Sequence, residues 1–186
     1  MTVTESSYAD GKPAALLDIF EVELGASCPS NSHPEDVYVT ERRWRHISRF
    51  DSSSDAQFLA AFVDTEPVVL QGYCDRIVAG KFEKTAAKCS LGLVRPDDLW
   101  WWIRDDNGKR KNRAVFRLGK IGRVRYDLAL TDPAWLDQLN LLPAGIYPHS
   151  FFYGDKPLNT LLTISLGEAF QGFHYKLVAG VVNLPA

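Results

Sequence analysis

Residues 99–132 read LWWWIRDDNGKRKNRAVFRLGKIGRVRYDLALTD. Three runs rich in aromatic and aliphatic residues are separated here by two turn signals, Asn107-Gly108 and the Gly-Lys-Ile-Gly of residues 119–122. Asn-Gly is favoured in the two-residue turns of β-hairpins, and runs of this composition are typical of strands. The stretch therefore predicts a three-stranded β-meander.

The predicted meander is basic on one face. Side chains alternate between the two faces of a strand, so Arg113 and Arg117 share a face of the second run, opposite apolar residues. Arg123 and Arg125 do the same in the third run. Residues 104–125 hold nine Lys/Arg and two Asp, a net charge of +7, which leaves −9 for the rest of the chain. Because salt screens charges beyond roughly 10 Å, a polyanion responds to this local charge and not to the net charge of the protein.

Composition limits the class of protein. The chain has 186 residues, 46% of them hydrophobic, which is enough for one full-sized core or two small cores packed together. Its apolar runs are far shorter than the roughly 20 residues of a membrane-spanning helix, and its polar start lacks the basic-then-apolar order of a secretory signal. The three cysteines are widely spaced, unlike a disulfide framework. These features predict a cytoplasmic protein with no membrane association.

Outside the meander, the predicted strands are short and the predicted helices few. Alternation over residues 16–24 indicates a strand, and two apolar runs, 161–166 and 173–182, indicate two more. A capping-box pattern at residues 54–57 predicts a short helix, and Asp132 followed by proline predicts another. This pattern favours small β-barrels or a sandwich over a parallel βαβ fold.

The sequence holds no recognisable catalytic or metal-binding motif. Cys28 and His33, and Cys74 and Cys89, lack the spacing of zinc ligands, and no Gly-x-Ser-x-Gly elbow or glycine-rich phosphate loop is present. Buried free thiols that pack as small apolar groups explain the cysteines better than a metal does. The sequence thus favours a protein that is not an enzyme and has no cofactor and no metal.

Several segments resemble a bacterial family of dual OB domain-containing proteins. They are residues 16–19, 34–37, 89–94, 113–116, 131–133, 164–168 and 170–179. The resemblance implies a mainly β fold of two small packed OB-like (Greek-key) barrels with a few short helices. We expect a first OB-like lobe over residues 1–95, with a helical insertion, and a second over residues 96–186. The family's opening strand and its Trp-x-Arg-Pro segment have no counterpart ahead of Leu16, so the first lobe is expected to be incomplete or closed by another chain.

The leading functional hypothesis is a non-enzymatic binding module for single-stranded nucleic acid or a nucleotide. OB barrels bind such ligands across the sheet with cations for phosphates and aromatic rings for bases. The expected ligand contacts are Trp101, Arg113, Arg117, Lys120, Arg123 and Arg125. Neighbouring tryptophans alternate in direction, so either Trp101 or the pair Trp100 and Trp102 must face outward or be covered. A solvated basic face that protects a sheet edge, with the tryptophans packed in a core or interface, is the alternative interpretation.

Two other hypotheses use different features. A scaffold or protein-interaction subunit, in a homodimer or with a protein partner, would cover the aromatic run and the incomplete first barrel. An enzyme acting on nucleotides would use a polar corner formed by Glu168, His174 and Lys176, although His174 and Lys176 also suit a solvated outer strand face.

Overall fold

A computed structural model describes residue 11 and residues 14–51, 55–119, 124–154 and 159–184. The fold is mainly β, as predicted. The strands are β1 Asp18–Glu21, β2 Leu24–Ser27, β3 Val37–Val39, β4 Arg45–Arg49, β5 Val63–Asp64, β6 Arg76–Val78, β7 Leu91–Val94, β8 Asp98–Asp106, β9 Lys109–Leu118, β10 Val124–Leu130, β11 Gly145–Pro148, β12 Thr160–Phe170 and β13 Phe173–Asn183. The helices are α1 Ala56–Ala60, α2 Gly80–Lys84, α3 Pro133–Asn140 and α4 Ser150–Tyr153. None of these four helices is long and apolar enough to cross a membrane.

The predicted meander is confirmed as strands β8, β9 and β10. It belongs to a nine-stranded sheet, here called the main sheet, with the order β11-β8-β9-β10-β13-β12-β7-β5 and with β6 paired to β13. Pairing within the meander is antiparallel, with Trp101 opposite Ala114 and Leu128 opposite Ala114 across the next ladder. The β8–β9 turn is at Asn107-Gly108, where both residues have positive φ, as the Asn-Gly signal requires.

One face of the main sheet forms the protein core. The alternating residues of the meander strands that point to this face are buried, and helix α3 packs on it through Trp135 and Leu139. Asp132 caps α3 by accepting a hydrogen bond from the Trp135 backbone N–H at 3.2 Å, and Pro133 follows it, so the predicted start of this helix is confirmed. The opposite face of β8, β9, β10, β6 and β13 is here called the outer face.

The first strands form a separate arrangement. The strand predicted over residues 16–24 divides at Val22–Glu23, because β1 pairs with β4 whereas β2 pairs with β3. The side chains of these two-stranded sheets are largely exposed. The hypothesis that a partner covers them stays a prediction.

The loop between β2 and β3 fixes that region to the main sheet. Glu35 accepts hydrogen bonds from the Ser90 backbone N–H at 2.6 Å and the Leu91 N–H at 3.1 Å, and these bonds lower the pKa of its carboxyl against the opposing effect of burial. His33 Nε2 lies 2.8 Å from the Leu166 carbonyl. Three strands before residue 95, namely β5, β6 and β7, pair within the main sheet, so the sheet continues across the boundary expected there. The division into two lobes stays a prediction.

A candidate nucleic-acid interface on the outer face

The outer face of the meander brings two tryptophans together. Antiparallel partners project to the same side of a sheet. Trp102 is thus flanked by Arg113 of β9 and Ile146 of β11, and Trp100 lies opposite Val115. Both tryptophans are half-buried. They line a cleft of about 280 Å³. The cleft, here called the tryptophan cleft, is lined by Trp100, Trp102, Val115, Arg117, Arg125 and Ile146.

Two guanidinium groups lie over the indole rings. The guanidinium carbon of Arg104 is 4.2 Å from the centroid of Trp102, and that of Arg117 is 5.6 Å from the centroid of Trp100. Such cation–π contacts hold each guanidinium group close to the face of its indole ring. Of these two arginines, Arg117 also lines the tryptophan cleft, which therefore combines indole rings with a guanidinium group.

The arginines of the outer face differ in whether they form ion pairs with carboxylates of the chain. Arg113 is hydrogen-bonded to the carboxylate and the backbone carbonyl of Asp127 and lies 3.9 Å from an oxygen of Asp75, with 19% of its side chain exposed. Arg117 pairs with Asp98 at 3.2 Å but keeps 42% of its side chain exposed. Arg125 is exposed, and no ion pair to it occurs within the described residues. Arg117 and Arg125 therefore keep exposed guanidinium groups on this face, whereas Arg113 is already neutralised.

Lys120 and Arg123, also predicted as nucleic-acid ligands, lie outside the described residues.

The prediction that Trp101 stacks on a base is wrong. Trp101 is 0% exposed and points into the core, where its ring is 4.8 Å from that of Trp135. Its Nε1–H donates to His149 Nδ1 at 3.3 Å. The outward pair is Trp100 and Trp102, which sequence reasoning named as one alternative but did not choose, because alternation alone does not tell which set is buried. Ile146 was not predicted, since its strand pairing with β8 is not visible in the sequence.

The proposed polar corner is not formed as predicted. The side chain of Glu168 is 84% exposed, whereas His174 and Lys176 point to the buried side of β13. Lys176 is 1% exposed, and its Nζ donates to the carbonyls of Val69 at 2.7 Å and Gly72 at 2.6 Å. A solvated outer face, the alternative interpretation, is also wrong for these two residues. Among the described residues, no group of three or more His, Cys, Asp or Glu side chains is placed to hold a metal ion.

Burial of Lys176 predicts a rise in stability at alkaline pH. Desolvation lowers its pKa from 10.5 to about 8, so the folded state binds fewer protons than the unfolded state between these values. The cost of the buried charge is fully present below pH 8 and is relieved as the pH rises towards 10.5. We expect the free energy of unfolding to rise by about 2 kcal/mol between pH 7 and pH 9.5, relative to a Lys176→Met variant.

Urea denaturation of the native protein and of Lys176→Met at pH 7 and pH 9.5 measures this rise. The contributions of other titrating groups are the same in both proteins and cancel in the comparison. A parallel pH dependence in the native protein and Lys176→Met would contradict the assignment.

Comparison with known proteins gives one match. The sequence model of the dual OB-containing domain family matches residues 1–181, which include the residues ahead of Leu16. No curated protein and no solved structure matches the chain.

Proposed function

Because the chain belongs to the dual OB-containing domain family, an OB-fold family, we propose that it binds single-stranded nucleic acid or a nucleotide in the tryptophan cleft. OB-fold proteins bind oligonucleotides across a sheet face, where aromatic rings stack on bases and cations follow the phosphates. The cleft combines both kinds of group on one sheet face.

The observation that carries this proposal is the pair of half-buried indoles of Trp100 and Trp102, which line one cleft together with the exposed Arg125 and the half-exposed Arg117. A nucleobase is flat and apolar on its faces, and stacking on an aromatic side chain contributes about 1–3 kcal/mol per base. Trp100 and Trp102 supply such surfaces between Val115 and Ile146. Arg125 has no carboxylate partner among the described residues, so its charge is free for a phosphate.

We expect charge reversal at Arg125 to weaken oligonucleotide binding. Two phosphate contacts, at Arg117 and Arg125, correspond to a log-log salt slope of roughly −1.4 for a single strand. Arg125→Glu should lower affinity at low salt about tenfold and bring the slope to roughly −0.7. Fluorescence anisotropy of a labelled single-stranded oligonucleotide at several salt concentrations measures both quantities.

Lys84→Glu is the matched control, because Lys84 is exposed on α2, outside the meander strands, and the change in net charge is identical. Its affinity should follow the native protein. Equal weakening by the two variants would mean that binding senses only the net charge, as expected for the alternative of a merely solvated basic face. Undetectable binding of the native protein at low salt would remove the proposed function.

A further inference from the structure

A second cluster of aromatic and cationic side chains lies on strands β6, β12 and β13, away from the tryptophan cleft. The guanidinium carbon of Arg76 is 4.9 Å from the ring centroid of Phe173 and 5.9 Å from that of Tyr175. Arg76 lies directly opposite Tyr175 in the β6–β13 ladder, which explains this contact. Phe170, the partner of Phe173 across the β12–β13 hairpin, is exposed. We call Arg76, Phe170, Phe173 and Tyr175 the aromatic corner.

The aromatic corner and the tryptophan cleft share the outer face. Lys176 and His174 alternate with Tyr175 and point to the core, so Tyr175 projects to the opposite side. In the parallel β10–β13 ladder Ala129 is the partner of Leu177, which places both on that same side.

Ion pairs connect the two clusters. Asp75 lies 3.8 Å from Arg76 and 3.9 Å from Arg113. Arg113 is in turn the neighbour of Trp102 across the β8–β9 ladder and is bonded to Asp127 of β10. A continuous band of planar and charged groups thus crosses the outer face from β8 to β13.

The length of this band indicates the size of the ligand. Strands β8 and β13 are three steps apart in the sheet order. At roughly 4.8 Å per step the two clusters are separated by about 14 Å, which exceeds what one nucleotide can cover. OB folds occupy about 4–16 nucleotides of a single strand.

We infer that the aromatic corner is a second stacking site for the same ligand, which is therefore a single strand of several nucleotides that crosses the sheet and not a free nucleotide. This inference rests on the proposed function of the tryptophan cleft. Arg76 supplies a cation beside Phe173 and Tyr175, as Arg117 does beside Trp100.

The test compares two probes, an oligothymidylate of about 16 nucleotides and a thymidine dinucleotide, which is too short to occupy both clusters. Phe173→Ala should weaken binding of the long probe about 5- to 150-fold, the range given by the loss of one stacked base, and leave the dinucleotide unaffected. Trp100→Ala should weaken binding of both probes. Arg76→Gln is a milder variant at a half-exposed side chain, and it should change only the affinity for the long probe.

Phe58→Ala is the control for loss of an exposed aromatic ring, since Phe58 lies on α1. The inference is overturned if Phe173→Ala and Arg76→Gln bind the long probe as the native protein does, while Trp100→Ala still weakens it; the tryptophan cleft then stands alone. Equal affinity of the native protein for the two probes would overturn it as well. If the native protein binds neither probe, the cleft and the corner fail together.

Discussion

Replacing Trp101 with alanine is expected to lower the free energy of unfolding by about 3–5 kcal/mol. The indole is fully buried and packs at the centre of the core, 4.8 Å from the ring of Trp135 and 5.8 Å from that of His149. Truncation removes one of the two buried indoles in this region and leaves a cavity that the surrounding sheet and helix cannot fully close. It also leaves His149 Nδ1 without its donor.

Chemical denaturation of Trp101→Ala measures this loss, and its neighbours in sequence provide the controls. Trp100→Ala and Trp102→Ala remove the same side chain from the half-buried outer face, so each should cost clearly less than Trp101→Ala. Trp101→Phe keeps an aromatic ring in the core but removes the hydrogen bond to His149, so it should cost less than Trp101→Ala. If the three alanine variants were equally destabilised, the inward direction of Trp101 would be wrong.

The meander could be predicted from sequence because its signals are local. Asn107-Gly108 encodes the turn, and the alternation of Arg113 and Arg117 with the apolar residues 114, 116 and 118 encodes a strand with one buried face. The start of α3 could be predicted for the same reason, because Asp132 and Pro133 act within the first helical turn. Each of these signals depends on residues fewer than about ten positions apart.

Which side chains of a strand face the core could not be predicted where both faces carry a mixture of polar and apolar residues. In β13 the sequence predicts that His174 and Lys176 lie either in a polar corner with Glu168 or on a solvated strand face. Both are buried instead, because Lys176 finds the carbonyls of Val69 and Gly72, more than 100 residues earlier in the chain. A buried lysine of this kind is decided by long-range partners that periodicity does not report.

The sequence also overestimates how many arginines of the meander lack an ion-pair partner, because that too depends on residues distant in the chain. The sequence predicts outward arginines, and the pairing of Arg117 with Arg125 on one side of the sheet agrees with that. It does not predict that Asp127 and Asp75 engage Arg113, or that Asp98 engages Arg117. Asp75 reaches this face only because β6 joins the main sheet beside β13.

His149 is a buried core residue to which the sequence assigns no role, and it lies in a chain of hydrogen bonds. Because the Trp101 indole can only donate, His149 Nδ1 must accept, and its proton lies on Nε2, 2.9 Å from Thr160 Oγ1. The Thr160 hydroxyl then donates to Asn183 Oδ1 at 2.6 Å. Protonation of Nδ1 would break the first of these bonds and place a charge in the core.

We therefore expect the protein to lose about 2–3 kcal/mol of unfolding free energy through His149 between pH 7 and pH 4. Burial lowers the pKa of His149 from 6.5 to about 4, so the unfolded state binds more protons than the folded state in this range. The contribution is fully present above pH 6.5 and is lost as the pH falls towards 4. Denaturation curves recorded across this range measure it.

His149→Gln provides the comparison, because a glutamine can accept from Trp101 and donate to Thr160 but does not titrate. Carboxylates such as Glu35, whose pKa is lowered in the fold, contribute equally to both proteins and cancel in the difference. The variant should be less stable than the native protein at pH 7, where its packing is poorer, and the gap should narrow as the pH falls. A difference in unfolding free energy that stays constant from pH 7 to pH 4 would show that the core does not hold His149 neutral. The hydrogen-bonded chain from Trp101 to Asn183 would then not depend on the protonation state of His149.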